Sequence, residues 1–323
     1  MNTLSKTASK IESRIDLAGY CHLHPRYLQT RARINYLVER YLSLDILSEQ
    51  LLDLPQQFES PHQRIWQRIN WKAIDINQIV GIDPKLFLFV LVGAIEIETP
   101  IRDYSKESWN YLQGVHPQMA HFMGGLRDEN SEVVEVSIWE KEERQHAPVF
   151  SKIYQQLTGE KLQPKPNSVK DYYPTDNPII EVYKHAVSRI STEWGAVSVY
   201  LWLMAHSTGD LQNAIAQPLQ DEIGHLAKFW GFTCWAFSDN FSTRMSSATG
   251  QLMGLFKHHR SERTTSNDIL QRNSLVHAAE LAFTFTRIMA QMYRWNSNLK
   301  TDHLELLFGK SLDSPISKSF LLA

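Results

Sequence analysis

The pair Glu-x-x-His occurs twice in segments whose apolar spacing is helical: Glu143 and His146 in "EERQH" (142–146), and Glu222 and His225 in "DEIGH" (221–225). Residues three apart on a helix lie one turn apart and about 60° apart around the axis, so each pair projects from a single face. Burying such ionisable pairs is costly unless an opposite charge meets them. A chain that turns both faces inward must therefore bring the two helices together around something cationic. An acidic residue also stands directly before each glutamate, Glu142 in the first copy and Asp221 in the second.

The rest of the chain supplies a helical context. Apolar residues recur at three and four, with no sustained two-residue alternation and no Asn-Gly hairpin. The spacing predicts helices over 28–52, over 83–110 after the Asp83-Pro84 start, and over 115–127 as a short piece. Further helices are expected from near Ser131 to Thr158-Gly159, over 178–207, over 210–238 with a kink at Pro218, and over 274–296. Residues 160–178, with Pro164, Pro166, Pro174 and Pro178, read as a loop, and 239–270 as less regular. The expectation is one all-α domain over 1–323. It comprises an N-terminal helical extension (1–82), a four-helix core (83–238) and C-terminal helices (239–323).

Charge and cysteine usage exclude several classes of function. With 33 basic and 35 acidic residues the formal net charge is −2, and no basic stretch alternates with aromatics, which argues against nucleic-acid binding. "KHHRSER" (257–263) reads as a solvated surface run. Cys21 and Cys234 form neither a disulfide framework nor a zinc site, consistent with a reducing, cytoplasmic location. "LFLFVLVGAI" (86–95) is too short to span a bilayer, and the N-terminus lacks the apolar core of a signal peptide.

Two Glu-x-x-His pairs complete a di-metal carboxylate site only if two further helices each add a glutamate. Glu193 in "STEWGAVSVYLWL" is one: no charged side chain follows it through Ala205, so its burial calls for a cation. Upstream, Glu96, Glu98 and Glu107 are all available, and Glu96 and Glu98 point about 200° apart, so only one of those two faces inward. Four carboxylates with two imidazoles suit iron or manganese, because hard oxygen donors dominate.

These motifs resemble the ferritin-like di-iron carboxylate proteins, and among them the soluble acyl-carrier-protein desaturases. "WEKEERQH" (139–146) is similar to that family's first metal-binding helix, "DEIGH" to its second motif, and "VLVGAIEIE" (90–98) to its first ligand helix. The resemblance covers roughly residues 85–238 and implies a ferritin-like four-helix bundle with added terminal helices. In its register the first ligand is Glu98. The metal ligands it implies are Glu98, Glu143, His146, Glu193, Glu222 and His225, of which Glu143, Glu193 and Glu222 are also expected to be catalytic. Asp221 would orient His146, and Glu142 would do the same for His225.

By that resemblance the chain is a di-iron enzyme, with manganese or a mixed pair as alternatives and dioxygen as co-substrate. It would act on a hydrophobic small molecule or carrier-bound acyl chain and draw electrons from a ferredoxin-like donor, as a monomer or homodimer. Departures leave the reaction type open among hydroxylation, desaturation and deformylation. Ala196 stands where desaturases carry a Thr, Pro218 where N-oxygenases carry an extra His, and Phe150 where radical-forming reductase subunits carry a Tyr. The alternative function is a ferroxidase or metal-handling protein with no organic substrate. A bundle that has lost its metal is a third reading. His116, His121, His185, His206 and the run Trp194, Trp202, Trp230 and Trp235 read as packing or surface residues. Tyr200, two turns from Glu193 on the same face, is placed either to hydrogen-bond near the metals or to pack, and is read as packing.

Overall fold

The computed structural model describes residues 27–99, 101–130, 132–163, 178–237, 240–262 and 268–309, omitting the side chains of 27–28, 101–103, 178–179, 252–262 and 268–276. Cys21, Ser131, Pro164, Pro166 and Pro174 lie outside the described residues, as does Arg263 at the end of the basic run. The described part is all-α apart from one small hairpin. In chain order the helices are α1 (Tyr27–Tyr41), α2 (Leu44–Leu52), α3 (Leu54–Glu59), α4 (Pro84–Ile97), α5 (Ile101–Leu112) and α6 (Pro117–Gly124). After strands β1 (Leu126–Arg127) and β2 (Val133–Glu135) come α7 (Ile138–Thr158), α8 (Pro178–Ala205) and α9 (Gly209–Ala236). The last three are α10 (Phe241–Glu262), α11 (Asp268–Asn296) and α12 (Thr301–Phe308).

Four helices enclose the centre of the molecule. α4 packs on α7, α7 on α9, α9 on α8, and α8 back on α4, closing a ring of contacts; α8 and α9 form its most extensive pair. These helices bury Leu91, Phe150, Ile190, Leu201, Ile223 and Trp230. α1 and α11 cover α8 from outside, and α2 covers α9. Among the described residues, no helix is long and apolar enough to cross a membrane.

Several boundaries differ from the sequence reading, each for a local reason. The expected 28–52 helix is two helices, because Ser43 breaks the run and caps α2, its Oγ accepting the Ile46 N–H at 3.3 Å. The expected 83–110 helix stops at Ile97 with Glu98 as its C-cap, two residues before Pro100, a residue that disfavours helical backbone just ahead of it. α7 begins at Ile138, capped by Ser137, rather than near Ser131. The acidic stretch before it is not a helical first turn, since Val133–Glu135 pairs antiparallel with Leu126–Arg127.

Two larger differences concern whole segments. Residues 241–262, expected to be irregular, form α10, which lies along α8, buries Met245 and Ala248, and receives the Ser191 hydroxyl on the Ala248 carbonyl at 3.1 Å. Tertiary packing overrides the poor helix propensity of its Ser and Thr residues. The N-terminal extension, by contrast, is helical only to Glu59; from there to Asp83 it has only two short turns, at Trp71–Ala73 and Ile76–Gln78.

The close approach of α5 and α6 depends on Gly124. A Cβ there would lie 2.2 Å from Trp109 Cβ and 2.9 Å from its Cα, so Gly124→Ala must push the helices apart. Chemical denaturation is expected to register a loss of about 1–3 kcal/mol. Gly250 in α10 has nothing within 4 Å of the added methyl, and Gly250→Ala should gain about 0.5–1 kcal/mol in the same assay.

Candidate metal centre

α4, α7, α8 and α9 each deliver carboxylate or imidazole groups to one point between them. Glu98 comes from the end of α4, Glu143 and His146 from α7, Glu193 from α8, and Glu222 and His225 from α9. All six are buried, His146 completely and Glu98, the most accessible, to 6% exposure. They form two groups of four, Glu98–Glu143–His146–Glu222 and Glu143–Glu193–Glu222–His225. In each group, one donor atom per residue lies within 4.8 Å of every other. Glu143 and Glu222 belong to both. Glu96 and Glu107, the other upstream candidates, belong to neither.

The two groups mirror each other. His146 Nδ1 lies 2.9 Å from Glu222 and 3.7 Å from Glu98, while His225 Nδ1 lies 2.9 Å from Glu143 and 3.7 Å from Glu193. Each imidazole turns its other nitrogen to the acidic residue of the opposite motif: His146 Nε2 meets Asp221 at 3.2 Å and His225 Nε2 meets Glu142 at 3.0 Å. A carboxylate at Nε2 keeps the proton there and leaves the Nδ1 lone pair aimed at the centre. Each ring also has an indole beside it, Trp66 stacked 6.2 Å from His146 and Trp139 tilted 6.3 Å from His225.

Five of the inner atoms have no hydrogen-bond partner. His146 Nδ1, His225 Nδ1, Glu143 Oε1 and both oxygens of Glu222 are buried without a hydrogen bond. Buried polar atoms are ordinarily paired, so five facing one another need a common partner. Divalent cations meet that need: four ionised glutamates and two neutral imidazoles balance two of them. The residues therefore fit a two-metal centre.

Protonation without a metal reflects the same shortage of positive charge. Burial, followed by the Glu143 charge, pushes the Glu98 carboxyl up to about 7. Burial and the charges of Glu143 and Glu193 carry Glu222 well above the carboxylate range. Burial opposes charge on His146, but Glu143, Asp221 and Glu222 override it and hold the imidazole well above its ordinary value. His225 is raised likewise by Glu142, Glu143 and Glu193. Burial would also raise Glu143, yet the facing His146 and His225 bring it below the usual range.

Two residues that sequence reasoning missed, Arg64 and Trp66, and one that it read as packing, Tyr200, complete the site. Arg64, in the irregular segment after α3, donates its backbone N–H to Glu142 at 2.9 Å and its Nε–H to Asp221 at 2.6 Å. One residue thus holds both orienting carboxylates, and its guanidinium also reaches the Gln217 carbonyl. Trp66 donates its indole N–H to Asp221 at 2.8 Å. Tyr200, read from sequence as packing, donates its hydroxyl to Glu98. Burial and the charges of Glu98 and Glu222 raise its pKa, so the phenol keeps its proton. Tyr200 lies two turns from Glu193 on one face, a spacing that pointed to it; an arginine and a tryptophan in a non-periodic stretch gave no such signal.

Of the other flagged residues, His116, His121 and His185 belong to neither donor group. His116 caps α6, accepting the Met119 N–H at 3.0 Å, and His121 faces Glu135 at the surface. His185 stacks on Tyr111, and Phe150 packs on Tyr200. No protein-family model matches the chain, nor does any curated protein or solved structure.

Loosening the orienting carboxylates should weaken metal binding without unfolding the helices. For Arg64→Gln and Asp221→Asn, competition against a chromophoric chelator is expected to show about 10–100-fold lower affinity, with helical circular dichroism preserved. A second expectation concerns pH. Glu98, Glu222, His146 and His225 all bind protons more tightly in the folded state, so their stabilisation is complete below their ordinary values and is lost as pH rises. Chelator-treated protein should accordingly lose thermal stability from about pH 4.5 upward through 7. Saturating divalent metal should remove that loss.

Proposed function

We propose that this chain is a ferritin-like, non-haem di-iron oxidoreductase that activates dioxygen and acts on a hydrophobic, fatty-acyl-like substrate. The observation that carries the reading is the sharing of Glu143 and Glu222 between two mirrored four-donor groups. Two cations held by common carboxylates would be arranged to act on one small molecule together. Oxygen donors outnumber nitrogen four to two, which favours iron or manganese over zinc or copper. When bound, a pair of iron ions would supply the redox chemistry that the side chains lack.

Each residue then has a task. Glu98 and His146 would hold one ion and Glu193 and His225 the other, with Glu143 and Glu222 serving both. Asp221 and Glu142 keep the ring protons on Nε2. Tyr200 holds a proton against Glu98, beside the place where oxygen would be reduced. Trp66, Trp139 and Phe150, together with Tyr200, form apolar walls that keep bulk water from the ions. The acyl-like substrate and a ferredoxin-like electron donor rest on the resemblance of the motifs to the acyl-carrier-protein desaturases. Ala196, which lacks the hydroxyl those enzymes place after the third ligand, leaves hydroxylation and deformylation beside desaturation as outcomes.

Protein made in iron-supplemented culture should carry about two irons per chain, as a two-metal carboxylate site requires. Glu143→Ala/His225→Ala should carry neither. After reduction, oxygen uptake by the native protein should become coupled to product when a long-chain acyl substrate is added, as followed by an oxygen electrode and mass spectrometry. Iron content equal to that of the double variant would sink the metal assignment. Uptake that yields only ferric iron would leave a ferroxidase instead of an oxygenase.

A further inference from the structure

A second donor cluster lies where the C-terminal end of α8 meets α11. His206 follows the last residue of α8, and His277 and Glu280 lie three apart on α11, the spacing of the first centre with the order reversed. One donor atom from each lies within 4.8 Å of the others, and Glu280 is fully buried. The cluster shares no residue with the first centre.

We propose that His206, His277 and Glu280 bind a single divalent transition-metal ion. The first argument concerns His206. Its Nδ1 lies 3.1 Å from the Val80 carbonyl, an acceptor only, so the ring proton belongs there. Nε2 then presents a bare lone pair 3.1 Å from Glu280 Oε2, a lone pair against a carboxylate. A cation between them turns that repulsion into two bonds. Donating the outer N–H to a backbone carbonyl is also how ligating histidines are commonly held.

Glu280 supplies the second argument. His277 Nδ1 reaches the same Oε2 at 3.2 Å, and the Trp202 indole N–H donates to it at 3.2 Å. Its other oxygen, Oε1, is buried with no hydrogen-bond partner. A carboxylate serving only hydrogen bonds would divide its polar neighbours between its oxygens, whereas here Oε2 faces all three nitrogens and Oε1 none. Two ligands bonded to one ion at about 2.0–2.1 Å stand roughly 3.3 Å apart in tetrahedral geometry, close to the separations seen here. Oε1 provides a fourth donor atom. Two imidazoles and one carboxylate suit zinc or ferrous iron. The ion would fasten the end of α8 to α11 and to the segment at Val80, whose N–H is bonded to the His206 carbonyl at 2.9 Å.

Metal counting decides the matter without reference to activity. Native protein and the His277→Ala variant, each saturated with zinc and freed of excess, are compared by elemental analysis. Glu280→Gln, which keeps the side-chain shape, serves as a second variant should the first fail to fold. Native protein is expected to hold one more zinc per chain than either variant. In the Glu143→Ala/His225→Ala background, cobalt should give visible absorption bands that His277→Ala abolishes. Equal counts in native protein and a folded variant would overturn the proposal and leave Glu280 as the acceptor of a buried hydrogen-bond network. Because this cluster shares no ligand with the first, loss of either assignment leaves the other standing.

Discussion

The core of this protein is organised by unbalanced negative charge. Four glutamates on four helices point inward, and removing each ionised carboxylate from water costs several kcal/mol even after relaxation. Hydrophobic packing along α8 and α9 can absorb part of that cost but cannot neutralise it. Protons on Glu98, Glu222 and the two imidazoles are the makeshift solution, and their displaced titration records how strongly the site holds positive charge. Bound cations would be the lasting one, because they would also engage the inner atoms that no hydrogen bond reaches.

Reciprocity between the two motifs gives the arrangement its rigidity. Asp221 on α9 orients the imidazole of α7, and Glu142 on α7 orients that of α9. Neither helix can rotate about its axis without disturbing the ligand of the other. The segment after α3 closes this exchange through Arg64 and Trp66, so part of the N-terminal region acts as a component of the site and not as an appendage.

Much of this was legible in the sequence, for identifiable reasons. Glu-x-x-His fixes a face through the helical repeat, and a lone glutamate in an uncharged run identifies itself, so Glu143, His146, Glu193, Glu222 and His225 could be named from spacing and burial cost. Residue chemistry left Glu96, Glu98 and Glu107 open; only the family resemblance singled out Glu98, which enters the cluster as the C-cap of α4. Helix ends were harder to place, because Ser43 and Ser137 compete with other polar residues nearby and only the backbone decides which one caps. α10 was hidden because its helicity comes from α8 beneath it. Arg64 and Trp66 were out of reach because they lie in a non-periodic segment, and the pairing of His206 with Glu280 because a contact between helices far apart in the chain leaves no local trace.

Arg64 grips two carboxylates that belong to different helices, and its partner Asp221 lies 157 positions away in the chain. Such a contact has nothing to close upon until α7 and α9 are already side by side. Both of its acceptors are in reach only when α7 and α9 lie side by side in this register. A slip of one residue in either helix would swing Glu142 or Asp221 away by about 100° and leave the guanidinium or the backbone amide without its acceptor. The strap thus ties both orienting carboxylates to a single register of the helix pair.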